Sequence, residues 1–99
     1  MASDIIRAAE FAAFKAQREA LEARLEAASK AWRAVPGTGS GPMGLTPESV
    51  KFSPAYREAR ADYDWAHSAL RRVNGAFAKR FARELREERE ARRRAPSAA

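Results

Sequence analysis

Four of the chain's five glycines fall within ten residues, Pro36-Gly37-Thr38-Gly39-Ser40-Gly41-Pro42-Met43-Gly44-Leu45. On either side of that run the apolar residues recur every three or four positions. A glycine–proline run cannot continue a helix, whereas a 3–4 repeat marks one helix face. Together they leave room for little except two helices and a link. The first stripe is Phe11, Phe14, Leu21, Leu25, Ala28, Trp32 and Val35, with Arg18 in the slot between Phe14 and Leu21. The second is Tyr56, Ala59, Tyr63, Ala66, Leu70, Val73 and Phe77, followed by steps of four to Phe81 and Leu85. Each is a heptad-like seam, the first with one charged interruption.

Local signals set the expected boundaries. Ser3 is a suitable N-cap and Asp4 suits the positive end of a helix dipole, so the first helix is expected over 3–34, with Pro36-Gly37 as its stop. Residues 35–46 form a flexible joint without a fixed conformation. Thr46-Pro47-Glu48-Ser49 predicts a short helical turn over 47–52, and Ser53-Pro54 repeats the start signal more strongly. The second helix is expected to run unbroken over 54–94, because its stripe keeps phase through Asn74-Gly75. Gly75 costs roughly 1 kcal/mol relative to Ala inside a helix, which makes it the expected place for any kink. Residues 95–99 are expected to fray.

Two amphipathic helices on a short link pack as an antiparallel hairpin. Aligning the joint ends places Phe11 and Phe14 beside Phe77 and Val73. The same alignment puts Trp32 near Tyr56 and Ala59, and Ile5 and Ile6 near Phe81 and Leu85. The second helix is longer by roughly 13 Å, so its end projects past the first. The expected fold is a single all-α domain over 1–99: an antiparallel coiled-coil hairpin with a Gly/Pro-rich joint. One hairpin buries only one side of each helix, so a homodimer, most simply a four-helix bundle, is expected. A second copy is also a source of an acid for Arg18.

The chain contains no cysteine, which excludes disulfides and cysteine zinc sites. No run of about 18 apolar residues is present to span a membrane. The N-terminal residues lack a basic start followed by an apolar block, so the expectation is a cytoplasmic protein without a secretory signal.

Three patterns resemble chemistry. Gly39-Ser40-Gly41-Pro42-Met43-Gly44-Leu45-Thr46 approaches the phosphate-binding loop G-x-x-x-x-G-K-[ST]. Leu45 stands where the phosphate-binding Lys belongs and no strand precedes it, so the run is read as a linker. Asp62, Asp64 and His67 spread around a helix, and a pair of ligands makes no durable metal site. A Ser–His–acid triad would have only His67 to draw on. The expectation is no enzyme, no cofactor and no metal.

Charge is the stronger signal. Residues 71–94 hold ten Lys/Arg against four Glu, a net +6, while residues 1–70 balance nine of each. Arg72, Lys79, Arg86 and Arg93 recur every seven residues with Arg83 beside them, and Trp65 begins the same column. Trp65 lies off the Tyr63/Leu70 line, which assigns it to dimer packing or to a partner. The expected site is therefore Trp65, Arg72, Lys79, Arg83, Arg86 and Arg93. Its expected partner is a host protein with an acidic or nucleic-acid-binding surface. Nucleic acid itself is the alternative, and a structural coiled-coil adaptor with a merely solvated helix end is a third reading. The interleaved Glu84, Glu87, Glu88 and Glu90 weigh against DNA. A membrane surface is not called for, because the seam accounts for the apolar faces.

The stretch Leu45-Thr46-Pro47-Glu48-Ser49-Val50-Lys51-Phe52-Ser53-Pro54, with Tyr63-Asp64, Leu70-Arg71, Asn74-Gly75 and Lys79-Arg80-Phe81, resembles small accessory proteins of bacteriophages and mobile elements of high-GC proteobacteria. The resemblance covers about the second half of the chain and brings no catalytic motif. It implies an accessory protein that binds and blocks a host defence complex, as anti-CRISPR proteins do, or that binds DNA. It assigns no residue a role.

Overall fold

A computed structural model describes residues 2–95; the expected frayed tail lies, beyond Ala95, outside them. All regular structure among these residues is helical. Helix α1 spans Ala2–Arg33, α2 is a single turn over Glu48–Lys51, α3 spans Pro54–Arg80 and α4 spans Ala82–Arg94. Helices α1 and α3 lie side by side in opposite directions. At the joint end Trp32 meets Tyr56 and Tyr63, with ring centroids 5.9 and 5.2 Å apart. At the far end Phe11 meets Phe77 at 5.3 Å, and Phe14 meets it at 5.8 Å. The seam residues named above are buried or half-buried on both helices, and Ala69 is buried beside them. Its small side chain lets the helices approach without adding to a stripe of large residues.

Arg18 is met within the chain, although its buried Nε has no hydrogen-bond partner among the described residues. Its guanidinium lies 5.0 Å from the Phe77 ring centroid, and its Nε is 3.7 Å from Glu22 on the next turn. The aliphatic stem covers the seam while the charged head finds a ring face and an acid.

The joint, expected as a flexible link, is crossed by hydrogen bonds. The Ser40 N–H donates to Gly37 O at 3.1 Å and the Gly41 N–H to Leu45 O at 2.8 Å. The Gly39 N–H donates to Thr46 Oγ1 at 3.1 Å. A 3₁₀ turn over Pro42–Gly44 lies between these bonds. Glycine makes the turns possible: Gly37 has φ +89°, and a Cβ on it would stand 2.7 Å from Val50 Cγ2. The helix that follows starts as its sequence indicates. Ser53 Oγ accepts from the Tyr56 N–H at 3.4 Å, and Pro54 occupies the first turn.

The expected continuous helix over 54–94 is broken, at Phe81 rather than at Gly75. Phe81 has φ −117° and ψ 32°, outside helical values, although its N–H still donates to Phe77 O at 2.9 Å. Gly75 is helical, and a Cβ on it would meet nothing within 4 Å, so it sits on the open outer face where a missing side chain leaves no gap. The bend serves the packing of Phe81. Apolar steps of four advance about 40° around a helix, so Phe77, Phe81 and Leu85 would drift off a straight seam. Bending at Phe81 keeps its ring inside, fully buried against Phe11 at 5.2 Å, Phe14 at 5.3 Å and Phe77 at 5.5 Å. Fully burying such a ring contributes about 1.5–3 kcal/mol. The bend also removes Ile5 and Ile6 from the expected contact with Phe81 and Leu85; they are 73% and 58% exposed. The molecule measures 59 × 35 × 17 Å, with α4 turned aside from the long axis rather than prolonging it.

Candidate basic binding surface

Helix α4 faces α1 with its acids. Glu84 takes two hydrogen bonds from Arg7, Nε to Oε1 and Nη2 to Oε2, both at 3.0 Å. Arg7 Nη2 also donates to Arg80 O at 2.8 Å. One turn later Lys15 Nζ donates to Glu88 Oε1 at 2.6 Å. The backbones of the two helices stay more than 8 Å apart throughout the described residues, so long side chains alone bridge them. Between them lies an open cleft bordered by Ala8, Phe11 and Ala91. The Arg7 hydrogen bond holds the Glu84 carboxyl below its ordinary value, and the same bond raises Arg7.

The remaining acids of residues 71–94 are paired as well. Glu87 lies 3.9 Å from Arg83, and Glu90 lies 3.6 Å from Arg94. Arg80 is held by Glu10 of α1, and Arg83 also reaches Glu84 at 3.2 Å. The other cations of this segment have no ion pair or hydrogen bond among the described residues: Arg71, Arg72, Lys79, Arg86, Arg89, Arg92 and Arg93, all exposed. Folding thus sorts the charge. The acids are spent on α1 and on neighbouring turns, and the free cations point outward.

The expected column is present on its two halves and bent between them. Trp65, Arg72 and Lys79 form one exposed column of α3 outside the seam, its Trp65 end within reach of α1; Arg86 and Arg93 share the outer face of α4, with Phe81 as the corner. Arg83 is apart from them, because it is engaged by Glu84 and Glu87. Trp65 is 50% exposed, and the Arg24 guanidinium from α1 stacks 4.1 Å from its ring centroid. The heptad reading missed Arg89 and Arg92, which border a shallow groove over Leu85 with Ala78 and Ala82. Helical phase within α4 alone, counted from Glu84 and Glu88 as the inward side, would have found Arg89 on the outer strip with Arg86 and Arg93.

The other sequence patterns are absorbed by local contacts. Asp64 pairs with Arg60 at 3.4 Å, and His67 stacks on Tyr63 with ring centroids 5.9 Å apart. Thr46 of the glycine-rich loop spends its hydroxyl oxygen on the Gly39 N–H. Among the described residues no three His, Cys, Asp or Glu are grouped to hold a metal ion, and no helix is long and apolar enough to cross a membrane. No protein-family model, curated protein or solved structure matches the chain.

Proposed function

We propose that this chain is a non-enzymatic, cytoplasmic binding protein that docks through its basic outer face on an acidic or nucleic-acid-binding surface of a host protein complex and modulates or inhibits it. The observation that carries this reading is the company Trp65 keeps. A half-exposed tryptophan, stacked on Arg24, shares a face with the unpaired Arg72 and Lys79. Tryptophan and arginine are the residue types that anchor protein interfaces, and unpaired cations steer and orient an acidic partner. The resemblance to phage and mobile-element accessory proteins gives the reading its biological setting, an anti-defence role of the anti-CRISPR kind. The test is capture of a partner from the native host by the wild type and by a variant with Arg72, Lys79, Arg86 and Arg93 changed to Glu. Capture lost with helix content retained supports the reading; capture retained overturns it.

One observation favours direct nucleic-acid binding as the second reading. Glu84 and Glu88, which dilute the basic segment in sequence, are turned toward α1 and neutralised there. The strip carrying Arg86, Arg89 and Arg93 is therefore free of them. Several phosphate contacts would give measurable affinity that falls steeply with salt. A shift of duplex or single-stranded DNA at micromolar protein and physiological salt supports this reading, and its absence removes it.

We further propose that the hairpin pairs as a coiled-coil homodimer. Large apolar side chains left outside the α1–α3 seam, Ile5, Ile6, Phe52 and Trp65, support this, since a second copy would cover part of them. A monomer by light scattering at high concentration would contradict it.

A further inference from the structure

We propose that α4 is a hinged arm, held in its bent position by a lysine–glutamate latch, and that releasing the latch straightens α3 and α4 into one helix. The inference concerns the chain alone and does not depend on which partner it binds.

The register of the hairpin fixes where a straight helix would run. Phe11 faces Phe77 and Trp32 faces Tyr56, so a straight continuation brings Phe81 opposite Arg7 and carries Glu88 past the start of α1. Glu88 would then lie about 15 residues, or about 22 Å, along the axis from Lys15. Instead the two side chains meet at 2.6 Å. The Lys15–Glu88 contact therefore exists only in the bent form. The Arg7–Glu84 pair is less diagnostic, because Glu84 would pass only about three residues beyond Arg7 in a straight helix.

Three further observations make the arm movable. The non-helical torsions are confined to one residue, and helical hydrogen bonds resume on either side of it: Phe81 N–H to Phe77 O closes α3 and Leu85 N–H to Phe81 O opens α4, both 2.9 Å. To complete the helix, Phe81 must take helical torsions and Arg80 O must leave Arg7 Nη2 for the backbone bond of the next turn. The arm's backbone makes no close approach to α1, and an open cleft separates them. The ion pairs spanning the cleft are partly exposed, at 38% and 15% for Arg7 and Glu84 and at 35% and 28% for Lys15 and Glu88. Exposed pairs contribute little and are screened by salt. Against release stands the burial of Phe81, which a straight helix must hold from a different angle.

The two forms present different surfaces. Bent, the cations form two strips that meet at a corner. Straight, Arg72, Lys79, Arg86 and Arg93 line up at seven-residue intervals, about 10.5 Å apart, and the basic end extends about 20 Å further. An acidic surface long enough to engage the whole column binds the straight form better and draws the equilibrium toward it.

The absence of cysteine permits a direct measurement on the full chain. Ala16→Cys on the outer face of α1 and Ala95→Cys just past α4 accept a pair of spin labels, and electron-spin distance measurement reads the arm's position. At low salt a single short distance is expected. Lys15→Glu, which sets two carboxylates against each other, should lengthen it by roughly 15–20 Å, and so should 1 M salt. The exchanged pair Lys15→Glu with Glu88→Lys should restore the short distance. That rescue separates release of the latch from loss of folding, because an unfolded variant would not recover. A short distance that survives Lys15→Glu overturns the proposal and assigns the bend to Phe81 packing. A long distance that the exchange does not restore overturns it equally.

Discussion

Two glycines in this chain have opposite roles, and neighbouring atoms decide which. Gly37 combines a φ of +89° with Val50 standing where a Cβ would go. Gly37→Ala should destabilise the fold by about 1–2 kcal/mol from the left-handed backbone alone. The thermal midpoint should fall by roughly 5–15 °C in a circular-dichroism melt. Gly75 is helical with open space around it. Gly75→Ala should add about 1 kcal/mol and raise the midpoint by roughly 4–8 °C in the same measurement. A fall on Gly75→Ala would mean that the helix needs freedom at that point. Sequence alone cannot rank the two positions, because Asn74-Gly75 is the more familiar turn signal. What distinguishes them is the surroundings: Gly75 faces away from α1, and Gly37 is pressed against a turn thirteen residues further on.

At the scale of the helices, the seams were legible because burial imposes a period and the period is written in Phe11, Phe14, Leu21, Leu25 and Trp32, and in Tyr56, Tyr63, Ala66, Leu70 and Phe77. The bend was not. It has no proline or glycine at its corner. Its only trace is the change from alternating threes and fours to repeated fours at Phe77, Phe81 and Leu85, which implies a drift that the backbone must absorb. The pairing of α4 with α1 was also hidden, since Arg7 and Glu84 are 77 residues apart in the chain and Lys15 and Glu88 are 73 apart. One consequence is a dependence on acid. The Arg7 hydrogen bond lowers the Glu84 carboxyl in the folded protein relative to an unfolded value of about 4.3. Stabilisation from that group is therefore complete above about pH 4.3 and is lost as pH falls through the lower folded value. Thermal midpoints measured from pH 7 down to pH 3 should decline less on the acid side for Glu84→Gln than for the wild type. Parallel declines would mean that Glu84 adds nothing to the fold.

Across the whole molecule, the net charge of +6 is a poor description of what a partner meets. Glu84 and Glu88 are spent on α1, and Glu87 and Glu90 on neighbouring turns of α4, leaving free cations on the outer faces of α3 and α4 and a half-exposed Trp65 beside them. Composition told that the chain is basic, and the heptad count located Arg72, Lys79, Arg86 and Arg93. Which cations are free depended on the turn at Phe81, as did the inclusion of Arg89 and Arg92. The central claim is that placement, not total charge, makes the binding surface. Two variants of equal net charge test it. Reversing Arg72, Lys79, Arg86 and Arg93 to Glu takes the formal charge from +6 to −2, and so does reversing Lys30, Arg33, Lys51 and Arg57 near the joint. Binding of each to the captured partner, measured at one physiological salt concentration, should be abolished in the first variant and largely retained in the second. Equal loss in both, or retention in the first, would contradict the account.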